Sequence, residues 1–137
     1  MQGWRTGMED AHIAVEITLP ATGKKGMLFG VFDGHGGQEV AAHAEIHFKD
    51  VLENLDTFKA GKYKEALTKA FLDYDSKVEN EDFAMDTGTT ACVVLITPDK
   101  IFCSNAGDSR GCLSRKGKEV PLSYDHKPGN DEEIKRI

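Results

Sequence analysis

From Ile13 to Leu19 the chain alternates: Ile13, Val15, Ile17 and Leu19 are apolar, with Ala14, Glu16 and Thr18 between them. A period of two predicts a half-buried strand, and Pro20 ends it. Thr22 to Gly26 reads as a turn rich in Gly and Lys, and Met27 to Phe32 is an apolar run of a length that suits a central, buried strand. The short turn between the two runs predicts that they pair antiparallel. The period then changes to that of a helix. Val40, Ala44, Phe48, Val51, Leu52 and Leu55 predict a helix near Gln38 to Leu55, and Asp56 to Gly61 breaks it. Tyr63, Ala66, Leu67, Ala70, Phe71, Tyr74 and Val78 form a second apolar stripe, predicting a helix near Lys62 to Asn80. Two helices joined by a short loop read as an antiparallel hairpin on one side of a sheet.

Beyond the hairpin the pattern returns to strands. Glu79 to Thr87 reads as an acidic loop, Gly88 to Thr97 as a strand rich in β-branched residues, and Pro98-Asp99-Lys100 as its turn. Ile101 to Ala106 is the returning strand, which Gly107 to Gly111 interrupts before Cys112 to Ser114 resumes it. Lys116-Gly117-Lys118 predicts a hairpin turn into a strand over Glu119 to Ser123. Asp125 to Pro128 leaves the sheet, and Asn130 or Asp131 is the expected N-cap of a last helix whose first turn is acidic. Strands, two helices, then strands again indicate an α+β fold with a mostly antiparallel sheet.

At 137 residues the chain is one domain's worth. A net charge of −6, with no Lys/Arg block, argues against nucleic acid as a partner. The same acidity suits a divalent cation site and suits plain solubility equally. No apolar run approaches the roughly 18 residues of a membrane span. The opening MQGWRTGMEDAH has no apolar signal region, which leads to an expectation of a cytoplasmic location, with the nucleus as the alternative compartment. Cys92, Cys103 and Cys112 are odd in number and lack CxxC spacing, so all three are expected to be small buried residues in a reducing compartment.

Candidate chemistry collects where Leu28 to Gly37, LFGVFDGHGG, ends its strand in a carboxylate, an imidazole and three glycines. Asp is a hard oxygen ligand suited to Mg²⁺ or Mn²⁺, and His transfers protons. Asp-Gly is also an ordinary turn dipeptide, and by itself the stretch reads equally as either. Glu9-Asp10, Asp33 and Asp108 are three acidic groups at predicted turns or strand ends, and Arg5 is a candidate clamp for phosphate oxygens. The simplest reaction such a set serves is metal-assisted hydrolysis of a phosphate ester. Three turn aspartates and a surface arginine with no shared task would read as well from spacing alone.

Five ordered motifs narrow the choice. Gln2-Gly3-Trp4-Arg5 with Met8 to His12, Val31 to Gly37, Gly88 to Ala91, Asn105 to Gly111 and Asp125 to Pro128 together resemble the metal-dependent type 2C serine/threonine protein phosphatases. The resemblance implies an antiparallel β-sandwich with flanking helix pairs and a site for two Mg²⁺ or Mn²⁺ ions at one end. It implies Asp33 as the ligand bridging both ions, Gly34 as a carbonyl ligand, and Glu9 and Asp10 acting largely through bound waters. Arg5 would grip the substrate phosphate and His35 would protonate the leaving alkoxide. Asp108 would help hold a third, weaker ion. His12, His43, His47 and His126 have no counterpart at the metals, and His43 and His47 are expected half-exposed on their helix.

The resemblance further implies that residues 1–137 correspond to the N-terminal half of such a domain. The family's first strand and its later acidic motifs are not among them. Two readings follow: an enzyme acting on phosphoserine and phosphothreonine in proteins, or a catalytically incomplete fragment or binding module keeping part of the fold. A half sandwich would also expose an apolar sheet face, with Val31, Val93, Leu95 and Phe102 as its expected members, and would favour self-association.

Overall fold

Alternation sets the first strand on its helix-covered side. In the computed structural model, which describes residues 1–137, β1 spans Asp10–Leu19 and buries Ala11, Ile13, Ile17 and Leu19. It pairs antiparallel with β2, Lys24–His35, in a register that places Ala11 opposite Phe32, Val15 opposite Leu28 and Asp10 opposite Asp33. Both strands run further than their apolar patterns, because the ladder continues through the polar Asp10, Asp33 and His35.

The helices follow their stripes. α1 is Glu39–Asn54 and α3 is Tyr63–Val78. Between them the expected break contains one short helix, α2, Asp56–Lys59, held because Phe58 is fully buried against the Tyr63 ring at 5.6 Å. A 3₁₀ turn at Asp82–Met85 lies within the acidic loop.

The predicted strand 88–97 is two pieces, β3, Gly88–Thr89, and β4, Ala91–Ile96. Their register against β2 is continuous across the gap: Gly34 faces Thr89 and Val31 faces Cys92. β5 is Ile101–Ala106, and the sheet order is β1-β2-β4-β5, with β3 continuing beside β2. β6, Cys112–Arg115, does not resume β5. It pairs with β7, Lys118–Pro121, as a separate two-stranded sheet. The last helix, α4, is Asp131–Arg136 with Asn130 as its N-cap, although the Asn130 amide donates to the Asp125 carbonyl and caps nothing. The architecture is α+β with antiparallel sheets.

One face of the main sheet carries the helices. Leu28, Phe32, Val93 and Leu95 meet Val40, Ala44, Phe48, Leu52, Leu67, Ala70 and Tyr74 in a single core. Phe48 is its hub, with ring centroids 6.0 Å from Phe32, 5.5 Å from Phe71 and 5.9 Å from Tyr74. Val93 and Leu95 therefore belong beneath the helices, and Phe102 packs on the Tyr63 ring there too, so of the four residues expected on the open face only Val31 is found on it. Strand parity explains this, since Val31 and Val93 have opposite parity relative to the register that pairs Val31 with Cys92. The open face shows Phe29, Val31 and Ile101 at 37%, 50% and 42% exposure. Gly111, just before β6, approaches it closely: a Cβ there would lie 3.4 Å from the Sγ atoms of both Cys92 and Cys103. The cysteines are not alike. Cys92 is buried, Cys103 is half-buried with its thiol pushed up to about 12 by burial and then by Cys92, and Cys112 is exposed, contrary to expectation.

Phe48→Ala removes the side chain on which three rings converge and should destabilise the fold by about 3–5 kcal/mol; urea unfolding followed by circular dichroism measures it. At pH 8 an alkylating reagent should modify Cys112 well ahead of Cys103, since the thiolate is the reactive form; mass mapping of the adducts checks the order.

Candidate active site

The register of β1 on β2 puts Asp10 and Asp33 directly opposite one another, on the face away from the helices. Hydrophobic alternation dictates this, because Ala11 and Phe32, their neighbours, both point into the core. Like charges set cross-strand are unfavourable. Asp33 accordingly holds its proton above the usual carboxylate range. Loss of surrounding water is the largest cause, followed by the hydrogen bond and charge of Asp10 and then the charge of Asp108, while His35 acts in the opposite sense.

Backbone contacts fix the frame. The Gly34 N–H donates to the Glu9 carbonyl at 3.1 Å, and a Cβ on Gly34 would stand 2.5 Å from that oxygen, so the approach needs glycine. Arg5 is held by a turn in which its N–H donates to the Gln2 carbonyl, and the Gln2 amide donates back to the Arg5 carbonyl at 2.8 Å. Arg5, Glu9, Asp10, Asp33 and Gly34 thus line one cleft of about 210 Å³.

His35 and Asp108 are not on that wall. The His35 ring lies over Gly88 and faces a larger neighbouring cleft of about 980 Å³, shared with Asn105, Gly107 and His126. Asp108 acts on Asp33 through its charge. It is held nearby through Thr90, which sequence reasoning quoted only as part of a motif. The Thr90 N–H donates to the Asp33 carbonyl at 2.9 Å, and its Oγ1 accepts from the Asp33 N–H at 3.2 Å. The same hydroxyl is 2.6 Å from Ser109 Oγ. A hydroxyl standing in for a ladder carbonyl is what splits β3 from β4. Gly107, at φ +104°, packs against Thr90 where a Cβ would come within 2.7 Å of the Thr90 methyl.

A clasp secures the loop that carries Asp108. Asn105 Nδ2 donates to the carbonyls of Gly107 and Tyr124, and His126 Nδ1 accepts from the Gly107 N–H at 3.3 Å. Arg110 grips Asp125 with two bonds of 2.9 Å, and Lys127 adds a contact at 3.3 Å. Hydrogen bonding from Arg110, and secondarily from Lys127, holds the Asp125 carboxyl at about 2. His126 and Asp125 are thus structural braces.

The oxygen donors of the cleft, the Asp33, Asp10 and Glu9 carboxylates with the Gly34 carbonyl, suit a hard divalent cation, and their mutual repulsion is what a cation would relieve. No three His, Cys, Asp or Glu side chains converge on one point. A cation here would keep several waters, as Mg²⁺ readily does.

Residues 1–137 match the family described as Protein phosphatase 2C. The chain belongs to this family. It is 45% identical to Protein phosphatase 2C homolog 2 of Schizosaccharomyces pombe, over all of this chain and 38% of that protein. To a probable protein phosphatase 2C of Caenorhabditis elegans it is 42% identical, again over 38% of that protein's length. The phosphatase 2C chain thus spans well under half of these curated relatives. Among solved structures, the serine-threonine phosphatase 2C of Toxoplasma gondii superposes with a TM-score of 0.78 at 18% identity, covering 96% of this chain and 50% of that one. The likeness is one of fold.

The Asp125 carboxyl should titrate at about 2, so its contribution to holding the loop is complete above about pH 4 and is lost as the pH falls through that midpoint. Arg110→Ala should move the midpoint upward, toward the ordinary value of 3.8. Carboxyl carbon chemical shifts followed from pH 6 to pH 1.5 report both.

Proposed function

We propose that this chain contributes the phosphate-gripping and first metal-binding half of a protein phosphatase that hydrolyses phosphoserine and phosphothreonine esters with Mg²⁺ or Mn²⁺. The observation that supports the reading is the shared cleft of Arg5, Glu9, Asp10, Asp33 and Gly34, which sets an anion-binding guanidinium beside hard oxygen donors. Family membership gives the reaction class its prior support.

Each residue then has a task. Asp33 and the Gly34 carbonyl would be the direct donors to a divalent ion, and Glu9 and Asp10 would act on it through water. When bound, a divalent ion polarises a phosphoryl oxygen and makes water a stronger acid. The Arg5 fork meets two phosphoryl oxygens at once and orients the ester. His35 gives its proton to the departing serine or threonine oxygen, a poor leaving group that needs one. Its ring lies in the adjoining cleft, next to the strand end that carries Asp33, so the substrate's peptide would run from one cleft toward the other. Asp108 would help hold a further, weaker ion. The remaining metal ligands of a two-ion site would come from beyond these residues, since no three side chains here close a cage.

That same lack of closure favours a second reading, a binding module that recognises phosphorylated protein without cleaving it. Hydrolysis of a phosphothreonine peptide with Mn²⁺, compared with the same assay in chelator, separates the two. Manganese-dependent turnover that Asp33→Asn abolishes supports the enzyme, and retention of the peptide without turnover supports the module. In the active protein, Arg5→Ala should lower kcat/KM about 10–150-fold, as expected for the 1.5–3 kcal/mol of a hydrogen bond to a charged group, mainly through KM. His35→Gln should lower kcat for the phosphopeptide by about 10²–10⁴-fold and less for an aryl phosphate with a good leaving group. Equal losses on both substrates would remove His35 from the role of acid.

A further inference from the structure

His43 and His47 stand one turn apart on α1, with ring centroids 4.2 Å apart and planes inclined by 39°. Residues four apart on a helix share a face, the spacing used by zinc-binding helices, and here the two rings lie against each other, so that a modest turn of the His47 ring would aim both Nε2 atoms at one ion. Both rings are half-buried, as the sequence led us to expect, and neither has a task in the cleft described above.

The surroundings of His43 prepare it as a ligand. Its Nδ1 lies 2.9 Å from the Tyr74 hydroxyl, and that hydroxyl donates to the Val40 carbonyl at 3.3 Å. A tyrosine has a single hydroxyl proton, so it either donates to Nδ1 or, while donating to Val40, accepts from an Nδ1–H. A metal ion on Nε2 would select the second arrangement, with the hydrogen on Nδ1 and Tyr74 accepting it. Metal-binding histidines are oriented by such a partner on the other nitrogen. The rings of Tyr74 and Phe83, each 5.7 Å from His43, flank the imidazole and restrict its rotation.

We propose that His43 and His47 form a two-imidazole chelate for a borderline transition-metal ion such as Zn²⁺ or Cu²⁺, on the helical hairpin and separate from the carboxylate cleft. Imidazole prefers such ions over Mg²⁺. Burial, then the charge of His47, lowers the His43 pKa, with Lys77 acting the same way and Glu81 against it, so the ring is in its neutral, metal-binding form at pH 7. No third His, Cys, Asp or Glu side chain joins the pair, so water would complete the coordination of a bound ion. Glu45, between the two histidines in sequence, turns instead to His12 at 4.0 Å, so the pair binds without a neighbouring general base.

Zinc titrated calorimetrically into the protein at pH 7.5, with excess Mg²⁺ present, tests this. One Zn²⁺ per chain should bind, at least tenfold more weakly in His47→Gln and in His43→Gln, whose amide can still reach Tyr74. Circular dichroism confirms that both variants are folded. Asp33→Asn should leave the zinc site intact, Cu²⁺ should bind more tightly than Zn²⁺, and lowering the pH to 5.5 should weaken both. Unchanged zinc affinity in the folded His variants, loss of the site in Asp33→Asn, or no binding at all would overturn the proposal.

Discussion

The register between β1 and β2 is the constraint on which the rest of the site depends. Ala11, Ile13, Ile17 and Leu19 must face the same core as Leu28 and Phe32, and a slip of one residue would turn all of them to the wrong side. Once that apolar set is seated beneath α1 and α3, Asp10 and Asp33 have no freedom: they face each other on the far side, at the end of the ladder. Two carboxylates are held together by the hydrophobic effect acting on their neighbours. Loss of water first, and then the hydrogen bond and charge of Asp10, raise the Asp33 pKa, and a cation placed between the two carboxylates would relieve their repulsion.

Around that pair the protein uses backbone and hydroxyl groups more than salt bridges. Thr90 bonds Asp33 through both its N–H and its hydroxyl and touches Ser109, so the turn bearing Asp108 is tied to the acidic strand end without a further charge at the site. The charged clasp, Arg110 with Asp125, stands at the far side of the same loop, where the guanidinium stays in solvent and the carboxylate is nearly covered. Separating the two functions leaves the cleft negative, while the loop that frames it is still fixed.

The helical layer contributes more than cover. Tyr74 closes the core against Phe48 and also turns its hydroxyl to His43 and the Val40 carbonyl. Burial raises the Tyr74 phenol pKa well above its ordinary value, and the hydroxyl keeps its proton throughout the physiological range. One aromatic residue thus links core packing to the orientation of an imidazole at the surface of the hairpin.

Much of this was legible in the sequence. The change of period from two to 3.6 and back located the sheet and both long helices, and the ordered motifs around Arg5, Glu9, Asp10, Asp33 and Asp108 indicated residues that share one end of the sheet. Periodicity could not say which face of β4 the helices would cover, because β4 is apolar on both sides; Val93 and Leu95 were resolved only by pairing with β2 and by the helices that landed on them. Nor could it show that Thr90 would replace a ladder carbonyl, that His35 would face the neighbouring cleft, that Cys112 would be exposed on a separate hairpin, or that Tyr74 would reach His43 across the helix pair. Local pattern determines which residues want burial and at what spacing. Contacts between residues 31 or 57 positions apart depend on how those buried faces meet, and that is a property of the folded chain alone.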